Sequence, residues 1–455
     1  LWRYNEKTAS ATAGLNDKDS VLPDKNKDNP ISITRSLCPE CGAIVDARIL
    51  EKDGAVVISK SCANHGGFEF PLFEDAGFYR ECSAGLGAIP PEIDGCDATG
   101  CLTCSRHVDR VKTIMIDATE RCNLRCAACF TNTHTTEKRD PTIEEIVSRL
   151  GKWKTRPTVL LCGGEPTVRE DLPELIRAIS ALGFVVKAAS NGIKLTDMEY
   201  VRKLKDAGLG WVLFQFDGFS DEIYRKTRGR DLLAIKEKAL ANLSAAGIKV
   251  CLAFMVVKGL NDGEIGRMID MAMKSDNIMH IGCTVLSCVG RDEFDKRHAT
   301  GALDVLRAVE RETAGRLNVS DFMRTRKIGN FLFKLTGNLE YQQKTCFHMA
   351  LLQKRAGGFF PVNRYFSLTG ALGNPGGLAS LARLYGSLKD WDAITLSGKV
   401  KLFTIEDFRA QDTIDLCDAN RCNKVYMAED GYIPPCIYNT KYRPQCWLPI
   451  KKAVK

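Results

Sequence analysis

The chain has 455 residues, 44% of them hydrophobic and 26% charged, which excludes a disordered or fibrous protein and leaves room for roughly two to four domains. Its net charge of +8 permits an anionic partner without demanding one, and no apolar run reaches the roughly 18 residues of a membrane-spanning helix. Nineteen cysteines, with no charged–apolar–small leader pattern behind the opening Leu-Trp-Arg, point to bound metal in a cytoplasmic protein rather than to disulfides.

Residues 1–35 are polar, carry a Lys/Asp/Asn-rich run without apolar period, and read as a flexible leader. A metal domain is expected over 36–80. Cys38 and Cys41 form one ligand pair and Cys62 and His65 another, separated by a hairpin that turns at Asp53-Gly54. Two pairs flanking a hairpin make a closed, tetrahedral ribbon site for zinc or mononuclear iron. His65 is the least secure ligand, because Cys82 could replace it. The ribbon lacks a basic-aromatic face, so no nucleic-acid partner is expected. Over 81–110, Cys96, Cys101 and Cys104 follow the C-x4-C-x2-C spacing of iron–sulfur ligation, with a fourth ligand supplied from a distance.

From 111 to 290 the pattern alternates. Strands are expected at 112–116, 158–162, 184–189, 211–216, 249–257 and 280–286, with helical stretches between them. After Asp171 apolar residues recur at Leu172, Leu175, Ile176, Ile179 and Leu182, the helical period, until Gly183 stops it. Six such units predict an α/β fold, a parallel sheet with helices outside, open or curled into a partial barrel. The loops after the strands carry the chemistry. Cys122, Cys126 and Cys129, spaced C-x3-C-x2-C and followed by Phe130, come after the first strand. Gly163-Gly164-Glu165-Pro166 follows the second, Ser190-Asn191 the third, and Gln215 and Asp217 mark the fourth. Parallel strands bring all these ends to one face. Three thiolates can hold three irons of a [4Fe–4S] cubane and leave the fourth open to a small chelating molecule.

Residues 291–455 are less regular, with helical stretches at 302–313 and 378–389. Cys346, Cys417, Cys422, Cys436 and Cys446 make a third metal site plausible, with Cys422 and Cys436 flanking an Asp430-Gly431 turn. Cys162 and Cys251 lie in apolar strands and are expected to be packing thiols.

The cysteine triplet followed by the Gly-Gly-Glu-Pro loop resembles the radical S-adenosylmethionine (SAM) superfamily. A closer resemblance, over residues 36–290 with patches beyond, is to the archaeal tetraether lipid synthases and their relatives. It rests on the ribbon and 96–104 cysteines, on Gly163-Gly164-Glu165-Pro166-Thr167-Val168-Arg169, on Arg228-Gly229-Arg230-Asp231, and on the stretch from Asp430-Gly431 to Tyr438-Asn439. The chain departs where the family often has an aromatic before the third cysteine, here Ala128. It departs again where a second cysteine would follow Cys346-Phe347-His348.

The resemblance implies a partial (βα)6 barrel with an N-terminal metal ribbon and a C-terminal iron–sulfur extension over 291–455. SAM would meet Phe130, Gly163, Gly164, Glu165, Pro166, Ser190, Asn191, Gln215 and Asp217. Cys122, Cys126 and Cys129 would carry the reactive cluster, and Cys96, Cys101, Cys104, Cys346, Cys417, Cys422 and Cys436 two auxiliary ones. The implied activity is tail-to-tail C–C bond formation between membrane glycerolipids through a 5′-deoxyadenosyl radical. A peripheral location at the inner membrane face and an electron donor such as ferredoxin or flavodoxin go with it. Methylation of a pterin precursor, attributed to relatives with these N-terminal motifs, is the alternative. A non-catalytic iron–sulfur electron carrier is the alternative of another class.

Overall fold

Four antiparallel strands, β1 (Ser32–Leu37), β2 (Ile44–Lys52), β3 (Ala55–Cys62) and β4 (Gly66–Phe73), form the first layer of the computed structural model. The structure describes residues 30–86, 111–133, 139–287, 289–294, 298, 300–336, 344–365, 399–428 and 431–443. Cys96, Cys101, Cys104, Cys446 and the helix expected at 378–389 lie outside them. The β2–β3 hairpin turns where expected, with φ of +49° at Asp53 and +78° at Gly54, the left-handed pair that a two-residue turn requires. Strand β1 begins inside the stretch expected to be leader. Its Thr34 and Ser36 are buried because their hydroxyls hydrogen-bond Asp415 and the Ile414 carbonyl, partners nearly four hundred residues away that local composition cannot reveal. Helix α1 (Ala76–Ser83) follows and buries Phe78, Tyr79 and Cys82.

Among the described residues the central sheet has eleven strands. Its middle is β5 (Thr113–Thr119), β7 (Thr158–Gly163), β8 (Val186–Ser190), β9 (Leu209–Gln215), β10 (Lys249–Val256) and β11 (Ile278–Val285), parallel and in chain order. All six match expected strands, offset by a few residues at their ends. A two-stranded clip, β6 (Ala128–Cys129) with β12 (Arg291–Asp292), sits apart from the sheet. The connecting helices are α2 (Ile143–Leu150), α3 (Leu172–Ala181), α4 (Met198–Asp206), α5 (Asp221–Arg228), α6 (Leu233–Ala245) and α7 (Ile265–Lys274). In α3, Leu172, Leu175, Ile176 and Ile179 are fully buried, each stabilising the fold by about 1.5–3 kcal/mol.

Residues after 300 extend the sheet at both ends, which the sequence did not announce. Helices α8 (Ala302–Glu312) and α9 (Val319–Thr336) lead into β13 (Phe347–Arg355) and β14 (Gly358–Pro361). Strand β15 (Val400–Glu406) then pairs parallel with β11, while β16 (Lys424–Ala428) pairs parallel with β5 and carries β17 (Gly431–Ile433). These two strands stand at opposite flanks of the six, yet Lys424 Nζ lies 2.6 and 2.8 Å from the Glu406 carboxylate. The sheet therefore curls until its flanks meet in an ion pair. Among the described residues no helix is long and apolar enough to cross a membrane.

Candidate active site

The loop after β5 and the loop after β7 are zipped together. Gly164 N donates to the Thr119 carbonyl at 2.7 Å and Glu165 N to the Arg121 carbonyl at 2.9 Å. Such close approach explains both glycines. A Cβ on Gly163, whose φ is +108°, would stand 2.3 Å from the Thr119 oxygen, and one on Gly164 2.1 Å from the Arg121 oxygen. A third close approach lies across the site, where a Cβ on Gly290 would stand 2.2 Å from the Cys129 carbonyl.

These loops surround a cavity of about 290 Å³. Cys122, Cys126, Cys129, Phe130, Gly163, Gly164, Glu165, Ser190, Asn191 and Gln215 all line it, as expected for strand ends brought to one face. Pro166 and Asp217 do not. Pro166 is buried in a short 3-10 turn, and Asp217 is wholly inaccessible, paired with Arg228 at 2.5 and 2.9 Å. Arg228 reaches the cavity instead, on the same wall as Cys126. Asp217 is thus a positioning residue for that guanidinium.

Glu165 organises the glycine loop. Its buried carboxylate accepts from Thr167 Oγ1 (2.6 Å), Ser190 Oγ (2.9 Å) and Asn191 N (2.6 Å). Burial raises its pKa, against the lowering effect of those donors. Behind it, fully buried Lys236 donates to the Asn191 carbonyl at 2.6 Å and to Gln215 Oε1, so one ammonium fixes two cavity-lining residues. Burial pushes its pKa down to about 7. Arg291 clamps the cysteine loop from the other side, donating to the carbonyls of Cys126 (3.0 Å) and Thr133 (2.6 Å).

The thiols differ. Burial pushes Cys122 up to about 12. It pushes Cys129 up too, but donors from Thr131 and Thr133 and the charge of Arg291 outweigh it, and the net shift is downward.

The ribbon forms a separate centre. Its distances are 3.9 Å for Cys41 Sγ to Cys62 Sγ, and 3.7 and 3.5 Å from His65 Nδ1 to Cys38 and Cys62. Tetrahedral ligands on one zinc stand about 3.8 Å apart for two sulfurs and about 3.6 Å for sulfur and nitrogen. The donor set therefore fits a single ion. His65 completes it, while Cys82 is packed in α1. The chain should carry one zinc or iron here. Elemental analysis of Cys62→Ser should show that equivalent lost, and full retention would place the ion elsewhere.

Residues 116–272 match the family model described as the radical SAM superfamily. They contain the cysteine triplet, the glycine loop and the strand ends just described. This is a radical SAM domain. Residues 30–74 match a second model, the HMPTM N-terminal zinc ribbon domain. The chain is 36% identical over 305 residues to the 7,8-dihydro-6-hydroxymethylpterin dimethyltransferase of Methanocaldococcus jannaschii, covering 64% of this chain and 60% of that one. It is 32% identical over 181 residues to the GTP 3′,8-cyclase of Syntrophomonas wolfei, covering 37% and 54%. The chain thus spans somewhat over half the length of these relatives. Streptococcus suis SuiB bound to S-adenosylmethionine aligns with a TM-score of 0.38 at 18% identity, over 45% of this chain and 47% of that one, too slight a likeness to add to the fold.

A radical SAM domain implies SAM and a [4Fe–4S] cluster, and the residues present fit both. Among the described residues only the ribbon ligands all lie within 4.8 Å of one another. The triplet is spread more widely around its cavity, as thiolates on separate irons of one cluster must be. Glu165→Gln would turn an amide donor toward groups that already donate. Hydrogen bonds to charged groups contribute about 1.5–3 kcal/mol, so SAM should bind roughly 10–100-fold more weakly, measured by anaerobic calorimetry.

The C-terminal cysteines of this radical SAM protein are partly gathered. Cys346, Cys422 and Cys436 share one charged environment with Lys344, Arg409 and Asp418, and Arg409 N donates to Cys436 Sγ at 3.4 Å. Cys417 is exposed on a short helix, α10 (Leu416–Ala419). The two thiols expected to be packing residues are buried but not merely apolar. Cys162 lines the SAM-domain cavity 3.8 Å from Asp117, and Cys251 meets His280 Nδ1 at 3.0 Å. Reading the sequence missed Arg291, Lys236 and Tyr426 as site residues. Of the lining residues it passed over, only Arg228 carried a signal, in the motif Arg228-Gly229-Arg230-Asp231.

Proposed function

We propose that the chain is a radical SAM methyltransferase acting on a reduced pterin, with Cys122, Cys126 and Cys129 holding the reactive cluster. The observation that carries this reading is the pairing of domains. The likeness to the pterin dimethyltransferase runs over about twice the length of the matched radical SAM segment, and the ribbon matches a model of its own. Bound SAM and the reduced cluster would supply a 5′-deoxyadenosyl radical that removes a hydrogen atom from the substrate. That SAM leaves as methionine with its methyl group, so the transferred methyl would come from a second SAM, which leaves as S-adenosylhomocysteine as the external donor supplies one further electron. Around it, the chain's own groups orient the reactants. The glycine loop and Glu165 hold the SAM methionine end, and Phe130 offers a flat wall. The paired Arg228 lies beside Cys126. A small one-electron donor such as ferredoxin or flavodoxin would reduce the cluster. Cys346, Cys417, Cys422 and Cys436 are candidates for an auxiliary cluster.

The cavity supports a compact substrate. Its volume is at the lower end for small-molecule sites, and the cluster and SAM would take much of it. The apolar run at 331–333 lies on α9, which packs against β13, and neither Phe331 nor Leu332 lines the cavity. C–C bond formation between glycerolipid tails remains a second reading, favoured by the apolar lining from Leu124, Leu213, Met255, Val285 and Leu286. Incubation of the reconstituted protein with SAM, a strong reductant and either 6-hydroxymethyl-7,8-dihydropterin or a glycerolipid separates the two. Methylated pterin with 5′-deoxyadenosine is the expected result. A coupled lipid with no change in the pterin would reverse the assignment.

A further inference from the structure

A nine-residue strap, 407–415, touches three centres in turn. At its start, Asp407 N donates to the Cys346 carbonyl at 2.9 Å, and the ring of Phe408 meets Phe130 edge-on at 4.9 Å, next to Cys129. Arg409 then donates its backbone N–H to Cys436 Sγ at 3.4 Å, while its guanidinium lies 4.8 Å over Phe73 of the ribbon. Further along, Gln411 Nε2 donates to the carbonyls of Cys38 (2.9 Å) and Pro39 (3.3 Å), the knuckle that carries a ribbon ligand. The buried ammonium of Lys60 ties the same places together. It donates to the Leu37 carbonyl (2.9 Å) on the ribbon side and to those of Gln411 (3.2 Å) and Asp412 (2.7 Å) on the strap side.

We infer that this strap mechanically couples the ribbon ion to the radical SAM site, with Gln411 and Lys60 as its positioning residues. An ion on Cys38 and Cys41 fixes the knuckle carbonyls. Those carbonyls fix Gln411, and the strap then presents Arg409 N to Cys436 and Phe408 to Phe130. These hydrogen bonds are directional and part-buried, and the Lys60 ammonium at their centre is buried, so a displaced knuckle pulls on the strap or leaves that ammonium short of acceptors. The inference stands on this chain's own contacts and needs no assumption about the substrate.

Coupling between sites is reciprocal, so it can be read at the ribbon. Zinc affinity of the full chain is measured by chelator competition, once with the iron–sulfur clusters and SAM loaded and once cluster-free, with iron content checked before and after. The two affinities should differ by about fivefold or more, the lower end of typical coupling. In Gln411→Ala, which keeps every metal ligand, the ratio should fall to one. Lys60→Met should do the same where it folds. Equal affinities in the unaltered chain would overturn the inference. So would a ratio that survives unchanged in Gln411→Ala.

Discussion

Cys126→Ala should reduce 5′-deoxyadenosine formation to the level of a protein-free control and remove about four irons per chain. Cys126 sits among the chain's own charges. Arg228 approaches its sulfur, Asp217 holds Arg228, and Arg291 grips its carbonyl. None of those contacts requires the thiol for folding, so the variant should keep its secondary structure and its ribbon ion. Iron quantification and product chromatography on the same sample check this. Turnover surviving with the other irons in place would mean that the reaction is not run from this triplet.

Gly164→Ala is the second large effect. A methyl there would sit 2.1 Å from the Arg121 oxygen and 2.7 Å from its carbonyl carbon, well inside contact distance. Relief requires the two loops to separate, breaking hydrogen bonds of 2.7 and 2.9 Å that zip them. Overpacking costs about 1–3 kcal/mol and each lost hydrogen bond about 0.5–1.5 more, while the glycine loop moves off the SAM position. SAM affinity should fall by roughly 100-fold, and Tm by several degrees, in a calorimetric comparison. Gly210→Ala is the control. A Cβ at Gly210 meets nothing within 4 Å, and that variant should match the unaltered protein.

Much of this site was legible because parallel strands have a long-established grammar: apolar run, loop, amphipathic helix. Six strands and the clusters at their ends follow from that period alone. The ribbon was legible from its ligand spacing and its Asp53-Gly54 turn. Other features depend on contacts that no local window contains. Strands β15 and β16 join the sheet beside β11 and β5 from more than a hundred residues away. Lys236 is an ordinary helical lysine in sequence and becomes a buried strut only because Asn191 and Gln215 come to meet it. Asp217 shows the converse. Its place at a strand end marks it as important but not whether it lines the cavity or, as here, is buried behind it, holding Arg228, Gln215 and Thr227.

The ion pair between Lys424 and Glu406 bears on how the protein is made. Strands β15 and β16 cover the outer edges of β11 and β5, and they emerge from the ribosome after the ribbon and all six βα units. Until then the nascent sheet shows two bare rows of backbone N–H and C=O groups, each a template for pairing with another chain. A fragment ended before residue 400 should accordingly self-associate. The same late segment completes the cavity, since Tyr426 is part of its wall.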